Sequence, residues 1–296
     1  MLTRRKFLKT GAALTAIGVL PAGLSNCTPS YPKGKNIGLQ LYSVMDILNT
    51  DFDGTIKTLI DIGIKRFESF GYRDGKFFGK TPSEMKTYLA NLGAQITSAH
   101  SGMRFLDADD ADNIEQWDAW KKNCSDTAEV GSSWIIQAGY PTRQIQSVSD
   151  VFRLADQFNK CGEVAKSYNL QFAFHNHLDE LHELEGQIPY DILLQNTDQN
   201  LVAYQIDTGY MQTAFGSDFL NYIKKYSGRF QSLHLRDVDS TGEGTPLGKG
   251  VTNFEALFAL VDTAGVKEYY IEHGQASLED MKNNYNFLMN APYVKA

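Results

Sequence analysis

The sequence is short of cysteine, of net positive charge and of long apolar runs, and each shortage removes a class of protein. Its 296 residues hold three cysteines, Cys27, Cys124 and Cys161. Cys27 falls in a leader-like N-terminus; the other two sit inside helix-like segments, read as buried thiols, and are too few for a disulfide framework. Acidic residues outnumber basic ones, 35 Asp and Glu against 28 Lys and Arg, for a formal charge of −7. That balance gives no footprint for a nucleic-acid backbone. Beyond residue 27 no apolar run approaches the roughly 20 residues of a transmembrane helix. What is present, 42% hydrophobic and 12% aromatic residues, suffices for a substantial core.

The first 27 residues read as an export signal. A basic segment with Arg4 and Arg5 precedes an apolar stretch from Gly11 to Leu20, and small residues lead to Cys27. The order Arg4-Arg5-Lys6-Phe7-Leu8-Lys9 resembles a twin-arginine signal, used by proteins that cross a membrane already folded. Leu24-Ser25-Asn26-Cys27 also resembles a bacterial lipoprotein cleavage site, with Asn26 where Gly or Ala is usual, so Cys27 is a candidate for lipidation and a membrane anchor. The alternative is a soluble periplasmic protein with Cys27 in its leader. Removing residues 1–26 takes away four basic side chains and no acid, which carries the charge from −7 to −11. Residues 28–35 then read as a linker, and 36–296 as the folded domain.

From Asn36 onward a β-rich run, a loop and an amphipathic stretch recur. The β-rich runs number eight: NIGLQLYSV, KRFESFG, AQITSAHSG, SSWIIQAGY, LQFAFHNH, LVAYQIDTGY, FQSLHLRDV and EYYIEHG. Helix signals lie between them, such as Thr81-Pro82-Ser83-Glu84 opening a segment that stops at Gly93. Eight strands alternating with helices over about 250 residues predict an α/β fold of one domain, a (β/α)8 TIM barrel. A doubly wound sheet is the alternative, but no Gly-rich phosphate loop follows the first run.

In such a barrel the C-terminal strand ends share one mouth, where chemistry is done. The runs end on Glu68, His100, Gln137, the group His175, Asn176, His177 and Glu180, then Asp207, His234 with Arg236, and Glu272 with His273. Five of the six histidines fall there, which is more than loop anchoring needs. Singly, Asp207 beside Thr208-Gly209 reads as a helix cap, and His234 as a hydrogen-bonded core residue. Together, carboxylates and imidazole from consecutive strands would be costly to bury unpaired. One divalent cation, Mn²⁺, Mg²⁺, Co²⁺ or Zn²⁺, would offset their repulsion. Thiolates are missing from these ends, which argues against a structural zinc cage.

These motifs resemble the xylose isomerase-like barrel superfamily, the sugar phosphate isomerases/epimerases. IGLQLYSV resembles its first strand, FHNHLDEL its histidine-asparagine-histidine segment, IDTGY its sixth strand, LHLRD its seventh and IEH its eighth. The resemblance implies one divalent metal on Asp207, His234 and Glu272, with Glu180 or His175 as the first ligand. Arg236 stands where lysine is frequent, a planar fork in place of a point charge. It further implies removal of a proton beside a sugar carbonyl, with Glu180 and Glu272 as the acid–base pair and His177 and Arg236 on substrate hydroxyls or the developing oxyanion. Glu68 and His100 would add contacts at the rim.

Export and the scarcity of cations at the strand ends favour an unphosphorylated carbohydrate as substrate, with isomerase, epimerase or 3-keto-glycoside lyase as the outcome. A non-catalytic carbohydrate-binding barrel is the alternative. A phosphodiesterase of the apurinic-endonuclease kind is opposed by the charge.

Overall fold

The computed structural model describes residues 35–106 and 112–294. The N-terminal segment read above as an export leader, with Arg4, Arg5 and Cys27, lies outside the described residues. Eight parallel strands close into a barrel: β1 (Ile37–Gln40), β2 (Arg66–Ser69), β3 (Gln95–His100), β4 (Trp134–Ala138), β5 (Gln171–His175), β6 (Val202–Asp207), β7 (Phe230–Leu235) and β8 (Glu268–Ile271). Each pairs with its sequence neighbours, and β8 returns to β1. All eight fall inside the β-rich runs of the sequence. Between Arg236 and the last strand, Asp237–Val238 and Gly244–Thr245 add a small antiparallel ribbon.

The alternation of each strand sorts its residues between two environments. On β5 to β7, Phe172, Phe174, Val202, Tyr204, Ile206, Leu233 and Leu235 are fully or almost fully buried in the main core, where the strands meet the surrounding helices. Their neighbours Ala173, His175, Ala203, Gln205, Asp207, Ser232 and His234 take the opposite side, the barrel interior. Trp134 and Ile136 pack with Ala173 and Ala203 as a separate apolar cluster. Tyr270 also fills the interior, and Gly38 makes room for it, since a Cβ there would lie 2.6 Å from the ring.

Local signals set the helices that lock this barrel. Thr81 and Glu84, Ser147 and Asp150, and Ser277 and Asp280 each form a reciprocal capping box, which satisfies amide donors at the starts of Pro82–Asn91, Val148–Ser167 and Leu278–Asn290. The helix Phe52–Ile62 ends on Gly63 at φ 113°, a conformation that suits glycine. Cys124 and Cys161 are buried free thiols, as expected. Among the described residues no helix is long and apolar enough to cross a membrane.

Candidate active site

At the C-terminal mouth a cavity of about 720 Å³ is lined by residues that include Gln40, His100, Gln137, His175, His177, Arg236 and Glu272. Tyr42, Phe70 and Tyr210 supply an aromatic part of its wall. Tyr42 is 47% exposed and meets Phe70 edge to face with centroids 5.4 Å apart, a wall suited to stack on a sugar ring. Gly139, at φ 61°, passes so close to His177 that a Cβ would overlap Nδ1.

At the base of this cavity His175, Asp207, His234 and Glu272 each offer a ligand atom, and those atoms lie within 4.8 Å of one another. They come from the ends of β5, β6, β7 and β8, as the parallel register requires: Asp207 stands beside His234, and His175 beside Gln205. Asp207 performs two tasks. Its Oδ1 accepts the Tyr210 amide at 2.9 Å and caps the helix Thr208–Phe215, while its buried Oδ2 has no hydrogen-bond partner. His175 Nδ1 is likewise buried without a hydrogen-bond partner. These two lone-pair atoms without hydrogen bonds, of which Asp207 Oδ2 faces Arg236 at 3.7 Å, form with Glu272 and His234 the nitrogen–oxygen donor set that a borderline or hard divalent cation takes, so the residues present fit such an ion.

The protonation state of His175 suits the same task. Burial, reinforced by His234 and His100 nearby, holds the His175 imidazole well below its ordinary value, so it is neutral and able to ligate. Burial pushes Asp207 up to about 6 against the pull of Arg236. Burial would also raise Glu272, but His234 and Arg236 bring it below the ordinary carboxylate value. For His234, burial is outweighed by Glu68 and Glu272, which bond its two ring nitrogens and raise it to about 10, so a cation would have to displace a ring proton to be held there.

Two expectations about individual residues are corrected. Glu180 is outside the four-residue group and is absent from the cavity lining. The turn after β5 folds its carboxylate back so that Oε1 accepts the His177 amide at 2.5 Å while Oε2 is buried without a hydrogen-bond partner, and His175 is the residue of this segment that joins the group. Glu68 is not a rim contact; it is completely buried. Its inward position on β2 matches Gln40 on β1 and Ser98 on β3 in register, and Gln40 Nε2 and Ser98 Oγ both donate to it, at 2.9 and 2.5 Å. His100 lies between this layer and the mouth: it lines the cavity, with Nε2 2.9 Å from Gln205 Oε1 and 3.0 Å from Glu68 Oε1.

His177 and Arg236 do reach the cavity. Arg236 lies 3.7 Å from Asp207 Oδ2 and 4.5 Å over the Tyr210 ring. His273 does not line the cavity; its amide donates to Ser43 Oγ at 3.1 Å. Arg104, exposed on the loop after β3, lines the cavity as a second cation. Reading strand ends passed over it, because no strand signal marks a loop position four residues beyond His100.

Comparison with known proteins agrees with this architecture. Inosose dehydratase of Clostridium perfringens is 28% identical over 136 residues, 40% of this chain and 45% of that protein. The chain thus spans less than half the length of this curated relative. A sugar phosphate isomerase/epimerase from Parabacteroides distasonis superposes with a TM-score of 0.78 at 26% identity, over 88% of this chain and 100% of that one. The crystal structure of IOLI protein with a binding zinc atom shares the fold, with a TM-score of 0.66 at 12% identity over 85% of this chain and 95% of the other. The model of the xylose isomerase-like TIM barrel family matches residues 56–287, and with its closed barrel of eight parallel strands the chain belongs to that family.

Proposed function

We propose that the protein is a divalent-metal-dependent carbohydrate enzyme that removes a proton beside a sugar carbonyl. The outcome is isomerisation or epimerisation, or elimination of a group one carbon further on, as in a 3-keto-glycoside lyase. The observation that carries this reading is the convergence of His175, Asp207, His234 and Glu272 at the base of a cavity, with ligand atoms within 4.8 Å. The zinc atom of the IOLI protein and the activities in the names of the dehydratase and epimerase relatives support it.

A cation held by these four residues supplies positive charge for the oxygen on which negative charge builds as the neighbouring C–H is broken. The chain supplies the rest. Glu272 lines the cavity, and its carboxylate has two oxygens, so that one would hold the ion while the other takes or returns a proton at the substrate carbon. His177, kept below its ordinary value chiefly by burial, is neutral near pH 7 and is the second proton-transfer group in the wall. Arg236, already oriented by Asp207 and Tyr210, presents a fixed fork of donors to substrate oxygens. Tyr42, Phe70 and Tyr210 cover the ring faces.

We further propose that the enzyme is exported, on the strength of its twin-arginine-like leader, and acts on unphosphorylated sugars. The test is deuterium uptake from solvent into a ketose and a 3-keto-glucoside by metal-loaded protein, followed by product identification, with phosphorylated counterparts alongside. Exchange that stops on chelation and in Glu272→Gln is the expected result. Exchange that persists after both would refute the mechanism. Exclusive use of the phosphorylated compounds would refute the substrate class and point to Arg104.

A further inference from the structure

Beneath the four-residue cluster lies a buried carboxylate that the mechanism leaves without a task. Glu68 is fully buried, yet five donors converge on it from four other strands. Gln40 Nε2 approaches Oε1 at 2.9 Å, and His100 Nε2 approaches it at 3.0 Å. Ser98 Oγ and Gln205 Nε2 donate to Oε2 at 2.5 and 2.9 Å. The remaining contact joins Oε1 to Nε2 of His234. The other nitrogen of that ring, Nδ1, meets Glu272, a member of the cluster. The ring therefore bridges two carboxylates, one in the cluster and one below it.

We propose that Glu68 is the positioning residue of the metal centre: by accepting the Nε2–H of His234 it fixes the tautomer and tilt of that ring, leaving Nδ1 as the ligand atom. This rests on the metal reading given above. A carboxylate is required here rather than any polar group. It offers about four lone pairs and no proton to donors arriving from all sides. A glutamine would offer half of them and turn an N–H toward other donors. Outer partners of this kind orient metal-bound histidines, and their loss typically weakens metal binding about 10- to 100-fold.

The binding test needs no substrate. Zinc affinity of the chelator-stripped full-length protein is measured by competition with a chromogenic chelator for wild type, Glu68→Gln and Ser98→Ala, each with a thermal melt. Glu68→Gln should bind zinc about 10- to 100-fold more weakly. Ser98→Ala removes one donor from the other oxygen and leaves the His234 contact in place, so it should keep wild-type affinity even if its melting temperature falls. Equal loss of affinity in both variants, or none in Glu68→Gln, overturns the proposal.

Because Glu68→Gln could fail to fold, the second measurement uses wild type alone. Nitrogen-15 histidine spectra of the zinc-loaded protein, with the ring assigned through His234→Gln, should show its proton on Nε2 and zinc on Nδ1. The opposite tautomer overturns the role of Glu68 while leaving the metal reading intact. Failure of wild type to bind zinc or another divalent ion overturns both.

Discussion

Replacing Glu180 with glutamine should remove a pH dependence from the stability of the fold. The Glu180 side chain is fully buried. Its Oε1 accepts the His177 amide, and its Oε2 has no hydrogen-bond partner. Burial, only partly offset by the backbone amides of His177 and Glu180, pushes the carboxyl up from an ordinary value of 4.5 to about 8. Below pH 4.5 the acid is protonated whether the chain is folded or not, and its contribution to stability is fully present. Between 4.5 and 8 the unfolded chain releases the proton while the folded chain keeps it, so stability falls as pH rises. Above pH 8 the loss is complete. At about 1.4 kcal/mol for each tenfold difference in proton affinity, it amounts to roughly 5 kcal/mol. Glutamine stays neutral throughout. Urea unfolding of both proteins in chelator, at pH 5 and pH 9, should show wild type losing several kcal/mol more than Glu180→Gln across that interval. Parallel losses would refute the assignment of Glu180 as a buried, protonated acid.

Four further outcomes follow from the same geometry. His175→Ala should lower divalent-ion affinity by at least tenfold in equilibrium dialysis, whereas Glu180→Gln should leave it near wild type; the reverse ranking would restore Glu180 as the first ligand. Gly139→Ala should displace His177 and lower turnover while the melting temperature falls by only a few degrees, read from steady-state kinetics beside a thermal melt. Asp237, buried and accepting amides from Val238, Gly248, Gly250 and Thr252 at 2.9 to 3.1 Å, should cost about 2 kcal/mol in urea when changed to Asn, because charge-assisted bonds are lost. Burial pushes Cys124 up to about 12 and holds Cys161 well above the ordinary thiol value, so in Cys27→Ser protein neither should react with a thiol reagent at pH 8 until the chain unfolds.

The barrel was legible because each strand carries its own signal. A stretch such as LQFAFHNH alternates large apolar residues with small or polar ones, and several of the helices between strands announce themselves by caps, as Thr81 and Glu84 do. The positions of Asp207, His234 and Glu272 followed from strand ends alone, because parallel register brings those ends to one mouth. Three details were not legible. Whether His175 or Glu180 joins the cluster depends on how the turn after β5 folds, and the decisive contact is the backbone amide of His177. Glu68 lies deep rather than at the rim because strand tilt and stagger set the level of each inward residue, and a linear pattern does not encode that level. Arg104 enters from a loop whose path no periodicity describes.

A single divalent ion shared by four strand ends would be seen by anomalous diffraction at the zinc edge from crystals of the zinc-loaded protein. One strong peak is expected within coordination distance of His175, Asp207, His234 and Glu272. A peak elsewhere, or none at that cluster with the cavity open to solvent, would contradict it.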